Sequence, residues 1–121
     1  MKIKEVEEKL GIDRETVRFY IREGLLSPIQ LENHHREYSE EDIDQILRIR
    51  ILRQLEMSIS QARSVFNGDV DFNSALDESM KTLERKREIV SRSIDICKDL
   101  KDKDPRSFDP GRYYTDDSES L

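Results

Sequence analysis

The stretch from Ile12 to Leu26 carries two stripes of opposite character at helical spacing, and few folds can accommodate both. Val17, Tyr20 or Ile21, and Leu25 make one face for burial, while Arg14, Arg18 and Arg22 recur every four residues on another side. Asp13 is placed to accept a hydrogen bond from a free N–H of the first turn, and Gly24 to take the left-handed conformation that stops a helix. The segment is a short, capped helix whose basic stripe can meet phosphate oxygens or guanine edges. Just before it, Ile3 to Ile12 supplies a first helix and a turn at Gly11, and two helices joined in this way read as a helix-turn-helix.

Ser27 to Tyr38 lies between two helical patterns and has the length of a small hairpin, which reads as a wing. His35 and Arg36 within it can donate to phosphate oxygens. The adjacent His34 suggests a metal pair instead, but no Cys, Asp or Glu arrangement completes a set of four ligands. Ser39 and Asp42 then mark a helix from Glu40 to about Leu55, with Ile43, Ile46, Leu47, Arg50, Leu52 and Leu55 approximating one face. Ser58-Ile59-Ser60-Gln61 matches a capping box and opens a short helix through Phe66, closed by Asn67-Gly68. Ile59, Ala62, Val65 and Phe66 are its expected core residues, and its first N–H groups could equally anchor a phosphate.

A different grammar follows. Leu76, Met80, Leu83, Arg87, Val90, Ile94, Cys97 and Lys101 alternate spacings of four and three, the seam of a two-stranded coil. A helix from Ser74 to Lys101 would extend about 42 Å, too long to bury that seam on a small winged domain. A second helix is needed, and Leu76, Met80, Leu83, Val90, Ile94 and Cys97 are the expected dimerisation residues. The heptads do not fix the direction of pairing. Beyond Lys101, two prolines and the acidic run Asp116 to Ser120 read as a flexible tail, with Tyr113 and Tyr114 as its aromatic residues. The expected fold is therefore mainly all-α. Residues 1–68 form a winged helix-turn-helix domain, 69–73 a linker, 74–101 a coiled-coil dimerisation helix and 102–121 the acidic tail.

Thr16-Val17-Arg18-Phe19-Tyr20 followed by Gly24-Leu25-Leu26-Ser27-Pro28 resembles the recognition helix and exit of the MerR family of bacterial transcription regulators. Arg36-Glu37-Tyr38-Ser39-Glu40-Glu41-Asp42 resembles the end of that family's wing and the start of its third helix, and the likeness runs from Met1 to about Gly68. The wing departs from the pattern, since the family usually offers an Arg near Gln30 and a Gly-Tyr pair where His34 and His35 stand. The resemblance implies an antiparallel homodimer that binds a promoter inverted repeat in double-stranded DNA and distorts it so that RNA polymerase can use it. Arg14, Thr16, Arg18, Tyr20, His35 and Arg36 become the candidate DNA-binding set, with Arg18 reading a base and Tyr20 and Arg36 holding phosphates. The family's metal sensors use thiols that this chain lacks, so neither metal nor cofactor is expected, and no effector is assigned.

Composition alone would not lead there. With 21 basic and 27 acidic residues the formal charge is −6, against the basic footprint expected of a nucleic-acid binder. Residues 1–66 hold 11 basic and 13 acidic side chains, so DNA binding must rest on a local basic face. The single cysteine permits neither an intrachain disulfide nor a thiol cluster for zinc, and a reducing cytoplasm is the expected setting. No apolar run approaches the roughly 20 residues of a membrane helix, and the charged amphipathic start reads as no signal sequence. An enzyme is not expected, because no nucleophile and base pair, metal set or phosphate loop stands out. Two readings stay open beside the regulator: a DNA-architectural or excision-type winged factor, and a helical interaction module with a vestigial helix-turn-helix.

Overall fold

The computed structural model describes residues 1–114, in which five α-helices carry most of the chain and two short strands form a hairpin. The chain divides into two compact units, Met1–Ser79 and the part from Met80 onward. In the first, α1 (Ile3–Leu10) ends where Gly11, at φ 59°, turns its N–H onto the Glu7 carbonyl. After this left-handed turn, Asp13 accepts a hydrogen bond from the Glu15 N–H and starts α2 (Arg14–Arg22). Gly24 stops α2 at φ 76°, a conformation that a side chain resists. Ile12, Leu25 and Leu26 flank the helix proper, yet all three are buried, so the turns serve the core as much as the helix does.

β1 (Ile29–Gln30) and β2 (Arg36–Glu37) pair antiparallel, with Ile29 opposite Glu37 and Gln30 opposite Arg36. α3 (Glu40–Gln54) opens on a reciprocal capping box between Ser39 and Asp42, and α4 (Ile59–Phe66) on a second one between Ser58 and Gln61. Each box satisfies N–H groups that a helix start would otherwise leave unpaired, contributing about 1 kcal/mol. α5 (Phe72–Leu100) begins two residues earlier than its heptads suggest, because Asp71 Oδ2 accepts from the Ser74 N–H at 3.0 Å and caps it there.

The main core lies where α1, α2, the wing base and α3 converge. Val6, Val17, Ile46 and Ile49 are fully enclosed there, and Tyr20, Leu26 and Tyr38 close it. Removing most of such a buried side chain costs about 2–5 kcal/mol, so this cluster decides whether α2 is presented at all. A second cluster gathers Leu52, Met57 and Ala62, with Ala75 and Leu76 packed against it. Two sequence expectations are corrected here: Leu47 is 39% exposed and Ile49 takes its place in the core, and Phe66 is 36% exposed. Leu76, expected on a dimer seam, is partly buried against the second cluster.

In the second unit the remaining seam residues stand out from the helix. Met80, Val90 and Ile94 are half or more exposed and Cys97 is exposed, while Leu83 is partly covered and Ile89 is buried. The described part of the tail makes local contacts that its composition does not announce. Asp102 turns the chain at φ 68°, a short 3-10 turn spans Pro110–Arg112, and the Tyr113 hydroxyl donates to Asp99 Oδ2 at 2.5 Å. Phe108 meets the Tyr113 ring edge-on at 5.9 Å. The hydrogen bond from Tyr113 holds the Asp99 carboxyl below the usual carboxylate range. The acidic run Asp116 to Ser120 lies outside the described residues.

Candidate nucleic-acid interface

The core side of α2 is fixed by Val17 and Tyr20, which leaves the rest of its circumference to chemistry. On one flank a hollow of about 210 Å³ opens between α2, the N-terminal residues and the wing. Four of the six predicted DNA-binding residues, Arg14, Arg18, His35 and Arg36, line it together, joined by His34 and by Lys2, which sequence reasoning misses. Met1 brings Lys2 there: its ammonium bonds the Glu37 carboxylate, its carbonyl accepts from the Tyr38 N–H at 2.8 Å, and Lys2 Nζ reaches Glu37 at 2.9 Å. No local sequence signal joins residues so far apart in the chain.

Two arginines of this flank, Arg14 and Arg18, are held by carboxylates. Arg14 donates from Nε and Nη2 to Glu7 Oε1 at 3.1 and 2.7 Å, and its backbone N–H to the other oxygen. The side-chain hydrogen bond holds the Glu7 carboxyl below its ordinary range. Arg18 donates to Glu15 at 2.6 Å, one helical turn away. Glu15, the one acid within α2, is thus engaged, as is Glu23 just after it, since Arg63 approaches its carboxylate at 3.4 Å. Each pairing offsets a charge that would otherwise repel a polyanion.

On the opposite flank, Thr16 and Tyr20 line a second hollow of about 410 Å³ with Phe19, Arg50, Arg53 and Ile59. The predicted six are therefore split between two places. Tyr20 is only 5% exposed and its ring belongs to the core, a role the sequence gives it beside phosphate holding. Burial pushes its phenol up, partly offset by Arg50 and Arg53, so it remains a donor at neutral pH. Sequence reasoning passes over Arg53 and counts Arg50 with the apolar face. Their spacing of three on an exposed helix side is the available signal. Arg50 donates to the Leu10 carbonyl at 2.7 Å and Arg53 to that of Met57 at 2.6 Å, which fixes both beside Tyr20. Between the flanks, Arg22 lies over the Phe19 ring, 5.9 Å from its centre.

A third, apolar hollow of about 390 Å³ lies among Ile51, Leu52, Val65, Phe66 and Phe72, with Arg48 at its edge. Among the described residues, no three His, Cys, Asp or Glu side chains gather as a metal site requires, and no helix is long and apolar enough to cross a membrane.

The sequence is similar to those of known proteins. The mercuric resistance operon regulatory protein of Bacillus cereus is 28% identical over 117 residues, covering 89% of this chain and 88% of its own. The HTH-type transcriptional regulator CueR of Salmonella typhi is 30% identical over 105 residues, covering 84% and 75% respectively. The HTH-type transcriptional regulator AdhR of Bacillus subtilis is 28% identical over 92 residues, covering 75% and 61%. Residues 1–69, the winged domain with both hollows, match the MerR HTH family of regulatory proteins. The chain belongs to the MerR family of helix-turn-helix transcription regulators.

Proposed function

We propose that this regulator, a non-catalytic cytoplasmic protein, binds double-stranded DNA as a homodimer at a promoter inverted repeat and distorts it for RNA polymerase. The carrying observation is the pair of cation-bearing hollows on opposite flanks of α2. A helix entering the major groove lies between two phosphate backbones, and donors on both flanks are what that placement requires. In this reading Arg18 reads a guanine edge from the helix surface. Arg14, His35 and Arg36 meet one strand's phosphates, and Thr16 and Tyr20, with Arg50 and Arg53, meet the other's. The apolar face of Met80, Leu83, Val90, Ile94 and Cys97 supplies the seam for a second copy, and two readers on one coil impose two half-sites at fixed separation. Distortion would let DNA deformability add to specificity.

Selection of genomic fragments by the purified full chain, followed by sequencing, tests the proposal. Inverted repeats within promoters are the expected result. Sites away from promoters would instead mark an architectural factor, and no enrichment would mark an interaction module.

A further inference from the structure

The two histidines of the chain sit side by side at the wing tip, both exposed, and both line the cationic hollow. The turn fixes their backbone. His34 occupies the left-handed region at φ 66° with its N–H on the Leu31 carbonyl, and the His35 N–H bonds Asn33 Oδ1 at 3.1 Å. We propose that His34 and His35 are proton-linked phosphate ligands: as a DNA backbone enters the hollow both imidazoles take up protons, and affinity for DNA rises as pH falls through the imidazole range. This inference rests on the DNA-binding reading above.

The surroundings of the two rings support it. Lys2, Arg14, Arg18 and Arg36 face the same hollow and oppose any further positive charge while it is free of anions. Of the nearby carboxylates, Glu7 bonds Arg14, Glu15 bonds Arg18, and Glu37 bonds Lys2 and the N-terminal ammonium; Glu32 lies in the turn itself. A phosphate reverses that balance, because its negative charge favours the imidazolium, whose N–H donates a charge-assisted hydrogen bond. Between about pH 5.5 and pH 7.5 lysine and arginine stay charged. Glu7 and Glu37 are held ionised by Arg14 and by the N-terminal ammonium, and burial keeps the Tyr38 phenol neutral. Imidazoles are the side chains that change charge in this window. Binding DNA raises their pKa, so the added affinity is fully present below the free-state pKa and is lost as pH rises through the DNA-bound one.

The test uses the full chain and a duplex of about 30 base pairs carrying the inverted repeat recovered by genomic selection, long enough for two half-sites. Binding is titrated at several salt concentrations near pH 5.5 and 7.5, where imidazole charge differs most. We expect affinity to tighten at least about tenfold at the lower pH and the log–log salt slope to steepen by about two to four, the mark of up to four added ion contacts on a dimer. His34→Asn with His35→Gln keeps a residue tolerant of the left-handed turn and should remove both effects, leaving only what the N-terminal ammonium contributes. His34→Asn with His35→Lys should bind more tightly than that variant at both pH values and with little pH dependence. Proton NMR of the two ring resonances should show both midpoints moving upward on adding duplex. A pH response equal in wild type and the Asn/Gln variant, or ring midpoints unmoved by bound DNA, overturns the inference while leaving DNA binding intact. No binding at either pH overturns the DNA reading and the inference with it.

Discussion

Replacing Tyr20 by Phe separates the two roles that this side chain combines. The ring is 5% exposed within the main core, so deleting it altogether would cost about 3–5 kcal/mol. A domain of this size has only about 5–15 kcal/mol to lose, and Tyr20→Ala would confuse unfolding with lost contact. Phe retains the buried ring and removes only the hydroxyl at the Arg50 and Arg53 hollow, a change in stability of at most about 1 kcal/mol. If that hydroxyl donates to a phosphate, the loss is a hydrogen bond to a charged group, about 1.5–3 kcal/mol or ten- to a hundredfold in Kd. Because burial keeps the phenol protonated, the deficit should be constant across neutral pH. Thermal melting and duplex titration of the same preparation check both halves. Unchanged affinity in a fully folded Tyr20→Phe protein would refute the phosphate role and leave Tyr20 a core residue only.

Arg18→Ala should cost about 1–3 kcal/mol in specific binding and relax preference at one base position, read by titrating a panel of single-base variants of the selected site. Val90→Asp, at a position 57% exposed, should leave the thermal midpoint of each unit nearly unchanged but shift sedimentation from dimer to monomer; a persistent dimer would move the interface off the seam. Glu7→Gln should lower the melting temperature at neutral pH. Since the Glu7 carboxyl is held low in the folded chain, its contribution is present above the unfolded carboxylate pKa and disappears as pH falls through the folded one, so wild type and variant melts should converge in acid. Ser58→Ala should destabilise by about 1 kcal/mol in a denaturant melt, with Ser58→Asp losing less because it still caps.

Much of the first domain is legible in the sequence, and for a local reason. Asp13, Ser39 and Ser58 cap their own helices, and Gly11 and Gly24 punctuate theirs, so the signal for each element lies within a few residues of it. The phase of α3 is harder to read. Ile43, Ile46, Leu47, Ile49, Ile51 and Leu52 place apolar groups nearly all round the helix, and only its neighbours decide that Ile49 points inward while Leu47 and Ile51 do not. The heptad pattern likewise cannot tell a seam for a second chain from packing within one, and it does not foretell that Leu76 packs against the cluster of Leu52, Met57 and Ala62. At the interface, Arg14, Arg18, His35 and Arg36 are recognisable by type and spacing. Lys2 joins them through contacts that no short-range pattern encodes, and Arg50 and Arg53 are signalled only by their spacing of three. The tail reads as flexible because its composition is polar, and the contact of the Tyr113 phenol with Asp99, 14 residues back, has no local signal.

The helix-turn-helix is closed by side chains that arrive from far along the sequence. Arg50 occupies the last carbonyl of α1, Arg63 donates to the Glu23 carbonyl at 2.9 Å where α2 ends, and Gln45 to that of Leu25 at 3.3 Å. Two of these bonds span 40 residues. The reading head is consequently not a transplantable peptide: a graft of α1, α2 and the wing onto another scaffold would arrive with frayed helix ends and an undefined crossing angle. Changes in α3 and α4 that never touch DNA can then retune how α2 is tilted into a groove, which gives variation a route to new sequence preference without altering a single reading residue.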